Sequence, residues 1–134
     1  MQLSKCPLIS GCDSSWTQYG SHCYRFYQEQ LTWSDAKARC EREGGDLTSI
    51  HSAEENQFLA TISQNAYTWI GGNDLDTEGT FVWSDGSAWD FTQWEAGEPN
   101  NSGDQDCALT GFQGRAVWDD SHCTRKLSFI CKKK

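Results

Sequence analysis

The side chains best suited to chemistry in this sequence are oxygen donors gathered in two short stretches. Glu98 and Asn100 flank Pro99, and Asp119 and Asp120 follow Trp118 shortly before Cys123. A hard cation such as calcium takes roughly six to eight oxygens from carboxylates, amide carbonyls and water, so acids and amides converging from loops are its signature. A proline between two donors restricts the backbone that carries them and can aim both side chains at one point. Paired carboxylates could instead run glycoside hydrolysis as acid and base. The chain has no G-x-S-x-G elbow, phosphate-binding loop or H-E-x-x-H motif beside them. The acids therefore read as ligands, and the protein as a binding protein rather than an enzyme. Asn100-Asn101-Ser102 also fits the N-glycosylation sequon. A glycan on Asn100 would occupy a proposed ligand, so cation binding predicts that this sequon is unused. His22, His51 and His122 lie far apart and adjoin segments that read as structural, which assigns them structural or surface roles.

Composition agrees with a cation-binding role. With 19 acidic and 11 basic side chains the formal charge is -8, which argues against nucleic acid as a partner. No apolar run reaches the 18 or so residues of a membrane span. The chain's 134 residues carry no linker, charge block or repeat that would divide them, so one domain is expected. Seven cysteines (6, 12, 23, 40, 107, 123 and 131) are scattered, with no C-x-x-C pair and only three histidines. That disfavours a zinc knuckle or a thioredoxin-like site and favours disulfides, which persist outside the cytosol. A secreted, extracellular protein is the expectation.

Two helices and several short strands must position the donors. Thr32 stands three residues before Asp35, Trp33, Ala36 and Cys40 recur at helical spacing, and Gly44-Gly45 supplies a stop. Ser52 and Glu55 form a capping-box pattern, after which Phe58, Leu59 and Ile62 can share one face. Beyond Tyr67 the helical period is gone. Short aromatic or β-branched runs at Tyr67–Ile70, Phe81–Trp83, Ala116–Trp118 and Ser128–Cys131 read as strands. Between them lies a loop from about Asn73 to Asp106, rich in Gly, Asp, Asn and Ser, whose Trp83, Trp89, Phe91 and Trp94 predict a packed, ordered segment.

Taken in order, five marks resemble the C-type lectin-like domain over about Cys12 to Cys131. They are Cys23-Tyr24 after a Trp-containing hairpin segment, the Trp33 to Cys40 helix, Trp69-Ile70-Gly71-Gly72, Glu98-Pro99-Asn100, and Trp118-Asp119-Asp120 before Cys123. The resemblance implies an α+β fold for residues 12–134, behind a tail of residues 1–11. Two helices would flank small antiparallel sheets, with a long calcium-binding loop. It also implies disulfides Cys12–Cys23, Cys40–Cys131 and Cys107–Cys123. Cys6 is then left over, a candidate for an interchain bond in a disulfide-linked homodimer.

By the same resemblance, Glu98, Asn100, Gln105, Asp119 and Asp120 match the ligands of a calcium ion at the sugar site. Gln105 stands where the family usually has Glu, and Asp119 where it usually has Asn, so one carboxylate is lost and one gained. Asp74, Glu78, Asn101 and Asp106 match an auxiliary calcium site that would share Gln105. Glu98, Asn100, Asp119 and Asp120 would also meet the carbohydrate. Glu-Pro-Asn resembles the mannose, glucose, GlcNAc and fucose type, whereas Gln-Pro-Asp marks the galactose type. The expected partners are glycans on cell surfaces or glycoproteins. The competing expectation is a calcium-independent domain of the same fold that binds protein, ice or mineral surfaces.

Overall fold

The computed structural model describes residues 12–96 and 106–134. In chain order its elements are β1 (Thr17–Tyr19), β2 (His22–Leu31), α1 (Trp33–Arg42), β3 (Asp46–Leu47), α2 (Ala53–Ser63), β4 (Thr68–Asn73), β5 (Val82–Trp83), β6 (Cys107–Thr110), β7 (Trp118–Ser121) and β8 (Leu127–Lys133). Successive strand residues point to opposite faces, so a sheet buried on both sides needs apolar residues in both phases. Trp69 and Ile70, Leu109 and Ala108, and Phe129 and Ile130 fall on opposite faces in just this way. One face packs against Trp33, Ala36 and Cys40 of α1, and the other against Ile50, Leu59, Trp83 and Trp118.

The strands form one eight-stranded sheet in the order β1-β2-β8-β4-β6-β7, with β3 paired to β8 and β5 to β4. β4 and β8 run parallel, Thr68 facing Ser128 and Trp69 facing Phe129, while the other described pairs are antiparallel. Both helices start where the capping residues predict. The Thr32 side chain accepts from the Asp35 amide at 3.3 Å, and Ser52 accepts from the Glu55 amide at 3.0 Å. Past α1, the chain crosses against β8 so closely that a Cβ on Gly45 would lie 2.4 Å from the Lys132 carbonyl oxygen. Glycine is required there by space.

Some details depart from expectation. The strand expected at Ala116–Trp118 begins at Trp118 and runs on to Ser121, because its partner β6 starts the ladder at Thr110 opposite Trp118. β6 itself is buried at all four positions, and so lacks the alternation that marks a strand in sequence. β2 forms the hairpin expected at Cys23-Tyr24 but runs on to Leu31, although its outer half reads Gln28-Glu29-Gln30, and its register with β8 shifts between Tyr27 and Leu31. The three expected disulfides are present, with Cα separations of 5.7 Å for Cys12–Cys23 and 5.3 Å each for Cys40–Cys131 and Cys107–Cys123. No helix among the described residues is long and apolar enough to cross a membrane.

Glu55 does more than cap α2. Its Oε1 accepts from the His51 amide at 2.8 Å, and its Oε2 accepts from the Tyr24 hydroxyl and, at 2.8 Å, from Lys132 Nζ. Both charged side chains of this ion pair are 7% exposed. Burial by itself would raise the Glu55 carboxyl, but the hydrogen bonds from Lys132, Tyr24 and the His51 amide hold it below the usual carboxylate range. A depressed folded-state value contributes stability above the unfolded pKa, and that stability is lost as pH falls through the folded value. Acid should therefore weaken the fold progressively below about pH 4.3. Glu55→Gln leaves the Lys132 ammonium buried without its counter-charge, and should cost about 3 kcal/mol in urea unfolding. Pairing it with Lys132→Met should recover part of that loss; a double variant as unstable as the single one would remove the ion pair as the cause.

Candidate metal and ligand site

The candidate site is built at the neck of the long loop. β4 ends at Asn73, which lies opposite Cys107 on β6 and Val82 on β5. One residue further, the Asp74 amide donates to the Asp106 carbonyl at 3.0 Å and closes the neck. Asp74 is 1% exposed. Its Oδ2 accepts from the Gly79 amide at 2.9 Å, while its Oδ1 is buried with no hydrogen-bond partner among the described residues. Carboxylate oxygens of Asp74, Glu78 and Asp106 all lie within 4.8 Å of one another.

Three acids at this spacing repel, and a buried carboxylate oxygen without a donor is costly. Partial desolvation, and after it the neighbouring Asp74 and Asp106 carboxylates, raise the Glu78 carboxyl above its usual range. A cation would remove both penalties. An all-oxygen donor set suits a hard ion such as calcium rather than a thiophilic metal. The residues present at the neck therefore fit the ion that the sequence suggests.

The second pair of acids sits on the adjacent stem. β7 runs against β6 with Asp119 opposite Leu109, Asp120 opposite Ala108 and Ser121 opposite Cys107. Asp120 is fully buried, and its amide donates to Asp119 Oδ1 at 2.9 Å. The Cys107–Cys123 disulfide ties the two stems together just beyond them. The structure thus gathers Asp74, Glu78 and Asp106 into one cluster and places Asp119 and Asp120 on the strand beside it. Glu98, Asn100, Asn101 and Gln105 lie outside the described residues, as does Cys6.

Aromatic packing holds the described part of the loop against these stems, as its tryptophans predict. Trp83 lies 4.5 Å from Trp89 and 5.4 Å from Trp118 between ring centroids, and Trp94 lies 5.0 Å from Phe81 and 5.7 Å from Trp118. Gly72 makes room for this cluster: a Cβ there would lie 3.3 Å from the Trp89 ring. The Trp118 amide donates to Gln93 O and the Glu95 amide donates to Trp118 O, both at 2.8 Å, so the later part of the loop is zipped to β7 one residue before Asp119.

Sequence reasoning missed the polar supports under this cluster. The Trp118 indole donates to Asn56 Oδ1 at 2.9 Å, and Asn56 Nδ2 donates to Ala116 O at 2.8 Å. His51 joins the loop through Asp90 at 2.7 Å and Ser87 at 3.0 Å. These partners stand 36 to 62 residues apart in the chain, a separation at which no local pattern could signal the pairing.

Comparison with known proteins follows the same lines. Residues 29–133 match the family model of the lectin C-type domain. The galactose-specific lectin nattectin of Thalassophryne nattereri is 40% identical over 130 residues, covering 92% of this chain and 81% of that protein. The human C-type mannose receptor 2 is 46% identical over 127 residues, which make up 91% of this chain but 8% of the receptor. Among solved structures, a calcium-independent type II antifreeze protein superposes with a TM-score of 0.87 at 33% identity, covering 91% of this chain and 93% of that one. By sequence match, by fold and by its three disulfides, the chain belongs to the C-type lectin domain family, a family of binding domains rather than enzymes.

Proposed function

We infer that this protein is an extracellular, calcium-dependent lectin for mannose-type sugars. The observation that carries the reading is the neck cluster of Asp74, Glu78 and Asp106, with its buried unsatisfied oxygen, beside Asp119 and Asp120 on the neighbouring strand. Disulfides and membership in a lectin family support the compartment and the ligand class. In this reading Glu98, Asn100, Gln105, Asp119 and Asp120 hold the sugar-site ion. Asp74, Glu78, Asn101 and Asp106 hold the auxiliary one. A bound calcium ion with spare coordination offers positions to two vicinal sugar hydroxyls.

The protein's own groups select which hydroxyls fit. The Glu98 carboxylate accepts a hydrogen bond from one hydroxyl, and the Asn100 amide donates to the other. Exchanging the acceptor and the donor reverses the hydroxyl orientation that is satisfied, which is a physical route to sugar selectivity. Nattectin's galactose specificity shows that a relative at this identity can bind a different sugar. The choice of mannose type therefore rests on Glu98-Pro99-Asn100 in this chain. A second reading, calcium-independent binding of a protein, ice or mineral surface, draws on the likeness to the antifreeze fold and on Gln105 in place of the family's acid.

Calcium and EDTA separate the two readings. A ligand that binds only the folded state adds about 2.7 kcal/mol at a hundredfold excess over Kd, so millimolar calcium should raise the melting temperature and EDTA should abolish neoglycoprotein binding. An EDTA-insensitive melting curve would favour the second reading. Glu78→Gln relieves the repulsion at the neck, and should raise the melting temperature in EDTA while shrinking the increment from calcium. On a glycan array, wild type should favour mannose-type over galactose-terminated ligands, and Glu98→Gln with Asn100→Asp should weaken or invert that order. Nonreducing electrophoresis should show a doubled mass that collapses on reduction and is absent in Cys6→Ser; a monomer would reject the covalent dimer and leave the sugar site untouched.

A further inference from the structure

We propose that the groove between the outer half of β2 and the end of α2 is a second carbohydrate site, one that takes a neutral mono- or disaccharide without calcium. It goes beyond the calcium-lectin reading above and does not depend on it.

The groove exists because the backbone is irregular on both of its walls. On β2, Tyr27 lies opposite Phe129 and Leu31 opposite Leu127, so Gln28, Glu29 and Gln30 stand against Ser128 alone and bulge away from β8. On the other wall, α2 ends at Gln64 and Asn65, consecutive non-glycine residues at φ 54° and 56°. Such left-handed residues persist where the surrounding structure holds them. Between the walls lies a groove of about 330 Å³, lined chiefly by Phe26, Gln28, Gln30, Ser63, Gln64 and Ser128. That volume stands at the small end of ligand pockets, which run from roughly 300 to 1,000 Å³.

The lining is polar yet uncharged. Charged residues make up 22% of the chain, but no Asp, Glu, Lys or Arg lines this groove. Glu29, the acid on the bulge, is drawn to α1, where Arg39 Nη1 donates to its Oε1 at 2.6 Å. The side-chain amides of Gln28, Gln30 and Gln64 are exposed and form no hydrogen bond with other described residues. Each therefore offers two N–H donors and a carbonyl acceptor. The buried hydroxyls complement them. Ser63 Oγ donates to Leu59 O and Ser128 Oγ to Tyr67 O, both at 2.8 Å, so their protons are spent and they offer a ligand only lone pairs. Half-buried Phe26 adds an apolar surface. Between Gln64 and Ala66, Asn65 Oδ1 is buried with no hydrogen-bond partner among the described residues, and a ligand hydroxyl reaching it would remove that cost.

Donors and acceptors without charge, beside an aromatic ring, match a neutral sugar: its hydroxyls both donate and accept, and its C–H face can cover Phe26. An ionic ligand would find no counter-charge. The groove lies beside Thr68 and Ser128 at the start of β4, whereas Asp74 follows the end of that strand, roughly 20 Å along it. The two sites can therefore be read separately.

In EDTA, backbone and glutamine side-chain amide signals of residues 26–30, 63–66 and 128 should shift by NMR on titration with at least one of methyl mannoside, lactose and chitobiose, and less with glucuronic acid. Gln28→Ala should weaken the tightest of these about fivefold, the loss of one hydrogen bond. Gln64→Gly, which removes the amide and suits the left-handed backbone, should do the same. An unchanged melting temperature would show that both variants fold. No shift with any of the three neutral sugars, shifts confined to other residues, or equal affinity in wild type and both variants overturns the site, and glucuronic acid binding as tightly overturns its neutral character. A groove response in EDTA, with no calcium-dependent response at Asp74, Asp106, Asp119 and Asp120, would defeat the calcium-lectin reading and support this site.

Discussion

Trp118 is fully buried where the loop, α2 and the sheet meet, and most of the candidate site hangs from it. Its backbone bonds to Gln93 and Glu95 on the loop, its ladder position opposes Thr110 on β6, and its indole is held by Asn56. Four aromatic rings of the loop segment, Trp83, Trp89, Phe91 and Trp94, lie within about 6 Å of it. Aromatic burial of this extent gives a loop the packing that its sequence of glycines and acids could not supply. Asp119 and Asp120 follow directly, so the side chains proposed to hold the ion sit next to a fully buried anchor.

The stems of the loop concentrate like charge at a place the fold has made rigid. Closing the neck through Asp74 and Asp106 forces carboxylates together that an open chain would keep apart. That arrangement is unfavourable without a counter-ion, and becomes favourable once a cation is bound. A net charge of -8 on the whole chain adds to the attraction. Under the proposed function, folding and ion binding would be coupled as in other metal sites, where the ligands exist as a set only in the folded state.

On the side of α2 that faces the C-terminal strand, charge is handled in the opposite way. Glu55 and Lys132 neutralise each other within the protein, and Glu55 also accepts from Tyr24 on β2 and from the His51 amide just before α2. This internal pair cements α2 to β8 and holds the platform on which the loop rests. The disulfides complete the frame: Cys40–Cys131 joins α1 to β8 across 91 residues of sequence, and Cys107–Cys123 braces the two stems of the site.

The helices were legible because their signals are local: Thr32 and Ser52 cap within one turn of themselves, and Trp33, Ala36 and Cys40 repeat at a helical period in α1. The family was legible because Trp69-Ile70-Gly71-Gly72 and Trp118-Asp119-Asp120 are short motifs with fixed neighbours. The ladder from Cys107 to Thr110 was not, since a strand buried on both faces has no alternation to read. The joining of Asp74 and Glu78 to Asp106, the turn of Glu55 from cap to ion-pair partner, and the reach of His51 to Asp90 across 39 residues were decided only in three dimensions. Residue types and their local order determined which chemistry the chain could carry. Tertiary structure decided which acids share a counter-charge, because the Coulomb and hydrogen-bonding terms depend on distances that only the closed sheet and the packed tryptophans set.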